Sequence, residues 1–110
     1  MMCKRRTAAL ALVATVLLPG VASAQMSPAE QRGRTFALAN CARCHAIDKV
    51  SPSPLPIAPP FRSLNERYPA ESLAETLAEG IVTGHPTMPE FKLDPGQVGD
   101  FIAFLKSLSR

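Results

Sequence analysis

Five consecutive residues, Cys41-Ala42-Arg43-Cys44-His45, constrain this chain more than any other stretch of its 110 residues. Two cysteines at i and i+3 on a helical turn can reach the two vinyl groups on one edge of a porphyrin. The histidine directly behind the second can then turn its imidazole under the ring toward the iron. The motif therefore predicts one haem attached through Cys41 and Cys44, with His45 as an axial ligand. Other chemistries share part of the pattern. A dithiol redox pair also uses C-x-x-C, but it normally follows a strand in a βαβ unit, and no stretch of this chain reads as a strand. A zinc site needs further ligands, and His85 is the one other histidine. Two thiols in an oxidising compartment would ordinarily pair as a disulfide; a histidine directly after the second argues for the haem instead.

The beginning of the chain reads as an export signal. Lys4, Arg5 and Arg6 precede an apolar run of 11 residues, Ala8 to Leu18; Pro19 and Gly20 break it, and Ala22-Ser23-Ala24 supplies a small-x-small cleavage site. An uncleaved membrane anchor is the competing reading, but a span needs roughly 20 apolar residues. The expected division is a signal peptide over 1–24, cleaved after Ala24, and one domain over 25–110, located in the periplasm. Cys3 lies before the apolar run and leaves with it, so the mature chain keeps two cysteines. Three of the 12 Lys and Arg and none of the 9 Asp and Glu lie in the signal, which leaves nine of each in the mature chain. That balance removes any basic surface for nucleic acid. A mature chain of 86 residues with no Trp and five Phe is small for a self-sufficient core. A buried haem would supply apolar mass.

The rest of the chain reads as helices and two loops. Ser27-Pro28-Ala29-Glu30 is a capping box with proline at the first helical position, and it predicts a helix running toward Cys41. Gly33 is a gap in the surface of that helix and costs about 1 kcal/mol against Ala, so close approach of another helix is the expected compensation. Pro52, Pro54, Pro56, Pro59 and Pro60 stiffen an extended loop over 51–60. A short helix containing Leu64 should follow Phe61. A longer one begins near Pro69, carries Glu71 in its first turn and Leu73 and Leu77 at i, i+4, and stops at Gly80. Residues 82–93 form the second loop. Asp94-Pro95-Gly96-Gln97 repeats the capping logic, and Val98, Phe101, Ile102, Leu105 and Leu108 then form one apolar stripe.

Two further groups are needed around the iron. His45 binds through one imidazole nitrogen, and the other should donate to an acceptor that fixes the ring. A carbonyl in the proline loop suits this, from Pro59 or Pro60. On the far side the mature chain offers two methionines. Met26 lies almost at the new N-terminus, whereas Met88 lies in the loop Gly84-His85-Pro86-Thr87-Met88-Pro89. A soft thioether favours ferrous iron and raises the potential. Met88 is poor core filler between Thr87 and Pro89, so it is the expected sixth ligand; His85 is the rival.

Taken together, these residues resemble the class I c-type cytochromes, small single-haem electron carriers, over about residues 29–108. Gly33 and Phe36 stand where that family has a glycine and an aromatic on its first helix. Ala58-Pro59-Pro60-Phe61 is similar to the family's Gly-Pro segment, whose proline carbonyl accepts from the haem histidine, which favours Pro59. Thr87-Met88-Pro89 resembles its Met-Pro segment. Asp100 to Lys106 resembles its last helix, with Phe101 and Phe104 at the paired apolar positions. The resemblance implies an all-α, cytochrome c-like fold of about four helices around one covalently bound haem c. It implies that the first and last helices cross near a right angle, with Phe101 or Phe104 approaching Gly33.

It also implies a monomeric, non-enzymatic carrier of single electrons between redox partner proteins, with His/Met ligation and iron cycling between Fe(III) and Fe(II). The alternatives are a dedicated haem subunit of an exported dehydrogenase or oxidase complex, and a haem-based gas sensor. Two departures stand out. No tryptophan is present to hold a haem propionate, leaving Arg62, Asn65, Arg67 and Tyr68 as candidates. The balanced charge also differs from the basic mitochondrial carriers, so their docking partners do not carry over.

Overall fold

The computed structural model describes residues 12–20, 24–81 and 87–110. Its described elements are helical: α1 (Pro28–Asn40), a 3-10 turn (Phe61–Ser63) running into α2 (Leu64–Arg67), α3 (Ala70–Glu79) and α4 (Pro95–Ser107). Among the described residues there is no strand. No helix among them is long and apolar enough to cross a membrane. Residues 12–20 carry no regular element, and Leu12, Val13, Val16, Leu17 and Leu18 stand exposed.

Local chemistry sets the helix starts. Ser27 Oγ accepts from Glu30 N at 3.2 Å while Ser27 N donates to Glu30 Oε2 at 3.0 Å, with Pro28 at the first helical position. Asp94 and Gln97 repeat the exchange at the head of α4, at 2.9 and 3.2 Å. Each box satisfies amide groups that the helix itself leaves without partners. The start of α3 follows Pro69 without a side-chain cap. That helix ends at Gly80, whose φ of 111° is a conformation that side chains other than glycine's rarely adopt.

The core forms where α4 packs against α1, with α3 closing one side. Phe104 and Leu105 are fully enclosed, and Ala37, Phe61, Leu77, Leu93, Val98 and Phe101 complete the buried set. The stripe read from the sequence is thus deepest at Phe101, Leu105 and the added Phe104, with Ile102 and Leu108 half-buried beside it. Gly33 lies where the two helices meet. A Cβ there would run into the Asp100 carbonyl and lie 2.8 Å from Phe104 Cβ. The close approach is therefore made at Asp100 and Phe104. Arg32 fastens the same crossing from outside, its Nε and Nη2 each 2.8 Å from the Asp100 carboxylate. Asn65 ties α2 to the end of α4, donating to Leu105 O at 2.8 Å and Ser109 Oγ at 2.9 Å.

Candidate haem site

The motif occupies the turn that ends α1. Cys41 N and Ala42 N both donate to Ala37 O, at 2.8 and 3.0 Å, and Cys44 N and His45 N both donate to Cys41 O, at 3.1 and 3.0 Å. One tightened turn thus holds both thiols and the imidazole together. The thiols form no disulfide. Cys41 packs on the core, and burial pushes its thiol up to about 11. A reactive dithiol needs the opposite shift, toward the thiolate, so this environment weighs against the redox-pair reading.

The proline loop folds back over this turn. Leu55 N donates to Cys44 O at 3.1 Å, Ala46 N to Ser53 Oγ at 3.0 Å and Phe61 N to Ala46 O at 2.9 Å. His45 Nδ1 lies 2.7 Å from Pro59 O. A carbonyl oxygen can only accept, so Nδ1 carries the proton of this bond, and in the neutral ring the lone pair sits on Nε2. Pro60 O is used differently, accepting from Ser63 N at 3.0 Å and Ser63 Oγ at 2.8 Å. The ring of Phe61 packs on His45 with centroids 5.2 Å apart. That contact was not legible in the sequence, where Phe61 marks only the start of a short helix.

From His45 a run of aromatic rings crosses the core. Phe61 meets Phe101 at 5.6 Å, Phe101 meets Phe36 at 5.9 Å and Phe36 meets Phe91 at 6.1 Å, all edge-to-face. Such pairs add about 0.5–1.5 kcal/mol each beyond their burial. Phe91 stands at the base of the second loop, where its carbonyl accepts from Ile81 N at 3.0 Å. Met88 is half-buried at the bend in that loop, and it is not among the described side chains packed on the buried core. His85, the rival ligand, lies outside the described residues. The structure therefore gathers Cys41, Cys44, His45 and Pro59 in one place and sets Met88 on a separate loop. Of the residues considered for a propionate, Arg62 donates to Ser51 O at 2.7 Å and Asn65 is engaged on α4, while Arg67 and Tyr68 are exposed.

The arrangement fits a haem. Two unpaired thiols stand on one turn with an imidazole whose Nδ1 is occupied and whose Nε2 is the metal-binding nitrogen that remains. No curated protein and no solved structure matches this chain. The family model for cytochrome c matches residues 30–109, a span that takes in the Cys41–His45 motif and nearly all of the four helices. By that match the chain belongs to the cytochrome c family, whose members bind haem c covalently and transfer electrons through its iron.

Proposed function

We propose that this protein is a periplasmic carrier of single electrons between redox partner proteins. Cys41 and Cys44 hold the haem covalently, and His45 and Met88 ligate its iron. When bound, haem c supplies a one-electron Fe(III)/Fe(II) couple. The observation that carries the reading is the bond between His45 Nδ1 and Pro59 O, beside two free thiols on the same turn. That bond orients the imidazole and makes Nε2 the ligating nitrogen. It also raises the basicity of the ring, as a hydrogen-bond acceptor behind a ligating histidine does.

Met88 completes the site from the opposite loop. Its soft thioether favours the reduced metal and so raises the potential. With both axial positions filled and no acid–base pair at the site, the chain acts as a carrier rather than a catalyst. Residues 1–24 serve export and are removed after Ala24. The described residues support this division, because Ser27 caps α1 through Glu30 with no help from upstream, and the apolar side chains of 12–20 pack on nothing.

The test is the far-red absorption of the purified, oxidised holoprotein. A weak charge-transfer band of methionine sulfur on ferric haem is the expected result. Its absence, with ready CO binding after reduction, would sink the carrier reading in favour of a gas sensor. Its absence without CO binding would replace Met88 by His85.

A further inference from the structure

The loop over 50–61 contains no charged residue, in a chain that otherwise alternates both signs. Within it Leu55-Pro56-Ile57-Ala58 forms a turn closed by Ala58 N on Leu55 O at 2.9 Å. Its apolar side chains point outward: Ile57 is 72% exposed and Leu55 36%, with Val50 at 84% at the start of the same loop. Small domains bury such side chains when they can. Here the backbone prevents it. The loop is pinned by Leu55 N on Cys44 O and by Ala46 N on Ser53 Oγ. Arg62 on Ser51 O and the bond between Pro59 O and His45 Nδ1 complete the fastening. Asp48 Oδ1 adds bonds from Val50 N at 2.8 Å and Ser51 N at 2.6 Å. The result is a rigid apolar knob hydrogen-bonded directly to the second cysteine of the motif.

The knob does not face the metal-binding side of His45. The two nitrogens of an imidazole point in diverging directions, and the one bonded to this loop is Nδ1. A group ligated at Nε2 lies on the other edge of the ring, so Ile57 and Val50 stay open to solvent.

We propose that this turn is the docking contact for the redox partner, and that the partner presents an uncharged apolar face around its own redox centre. The proposal deepens the carrier reading and rests on it. Three observations select that occupant. The surface is continuous with the electron-transfer site through the Leu55–Cys44 bond. It offers no charge for an ionic partner to pair with. It is ordered before binding, so association loses little conformational freedom. Docking of this kind is brief and depends weakly on salt, because steering by charge is absent.

The protein itself presents such a face, so electron self-exchange is the probe. One electron passes from a reduced copy to an oxidised copy with no proton or ligand exchanged, and NMR line broadening of mixed-state holoprotein reads the rate. The wild-type rate should change little between low and high salt. Ile57→Lys places like charges face to face and should slow exchange about threefold or more at low salt, with recovery at high salt. Ile57→Ser should slow it at every salt concentration. Glu75→Lys, on the exposed face of α3, should leave it unchanged. In redox-inactive, fully reduced samples the methyl signals of Val50, Leu55 and Ile57 should shift with protein concentration. Unchanged self-exchange in a haem-loaded Ile57→Lys protein, with methyl shifts elsewhere, overturns the proposal while leaving the carrier reading intact. Flotation of wild type, but not Ile57→Lys, with neutral phosphatidylcholine vesicles and no effect on self-exchange would make lipid the occupant and overturn it as well. Failure of wild type to undergo self-exchange at all, with an open iron that takes up CO, overturns the carrier reading itself.

Discussion

At the scale of single residues, a hydrogen bond decides the orientation of His45. A carbonyl 14 positions further along the chain meets Nδ1 at 2.7 Å, and Phe61 packs on the ring at 5.2 Å. Both neighbours restrict rotation about the side chain, which is what a ligand requires before the metal arrives. Met88 is held less closely, on a loop closed at its base by Ile81 and Phe91. Met88→Ala should lower the midpoint potential by roughly 0.1 V or more, within the roughly 0.8 V over which axial ligands tune haem. It should also remove the far-red band. Voltammetry of the purified variant checks this, and an unchanged potential would move the ligand to His85 or leave that side open.

At the scale of elements, the crossing of α1 and α4 depends on one missing side chain. Ala at position 33 would improve helix propensity by about 1 kcal/mol. The added methyl would nevertheless collide with the Asp100 carbonyl and press on Phe104 Cβ, neither of which can move without separating the helices. Overpacking of this kind costs about 1–3 kcal/mol. Gly33→Ala should therefore lower the denaturation midpoint of the holoprotein despite its better propensity; a midpoint equal to or above wild type would mean the crossing is looser than described. The helix limits were legible because each is decided within four residues: two capping boxes, a proline at each first position and Gly80 at a stop. What Gly33 meets was legible only as a need for close approach, since the partner lies 67 to 71 positions away. Phe104 is the most enclosed aromatic of α4 although it lies outside the stripe read from periodicity, because the neighbouring α1 surface is hollow at glycine.

At the scale of the whole molecule, three carboxylates tie distant segments together, and all bind protons less readily than usual. Asp48 is held down to about 2, chiefly by the Ser51 hydroxyl and the Ser51 and Val50 amides, with a smaller contribution from Arg62. Glu30 is lowered by the Ser27 amide and by Arg110, and Asp100 by Arg32. In the unfolded chain these groups titrate near their ordinary values, about 4. A carboxylate with a depressed folded pKa contributes stability that is complete above about pH 4 and lost as pH falls toward 2. The denaturation midpoint of the holoprotein should thus be level from pH 7 to 5 and fall between about pH 4 and 2. Asp48→Asn should make that fall shallower. The same slope in both proteins would show that the loop over 48–51 opens before it titrates. Added salt should weaken the Arg32–Asp100 and Arg110–Glu30 pairs, whose cations are largely exposed, more than the amide bonds to Asp48.

The sequence by itself determined the chemistry and the local frame. A five-residue motif specifies the cofactor, and caps, prolines and glycine set where helices start and stop, since all of these act over a few bonds. The tertiary structure alone decided which carbonyl meets Nδ1, which backbone atoms meet Gly33, and the order of rings from His45 to Phe91. It also decided that Leu55 and Ile57 face outward. Apolar character in a sequence states only that burial is favourable. Whether burial happens depends on where distant segments pin the backbone, and here the bonds from Cys44, Ala46 and Phe61 pin the proline loop with its apolar turn in water.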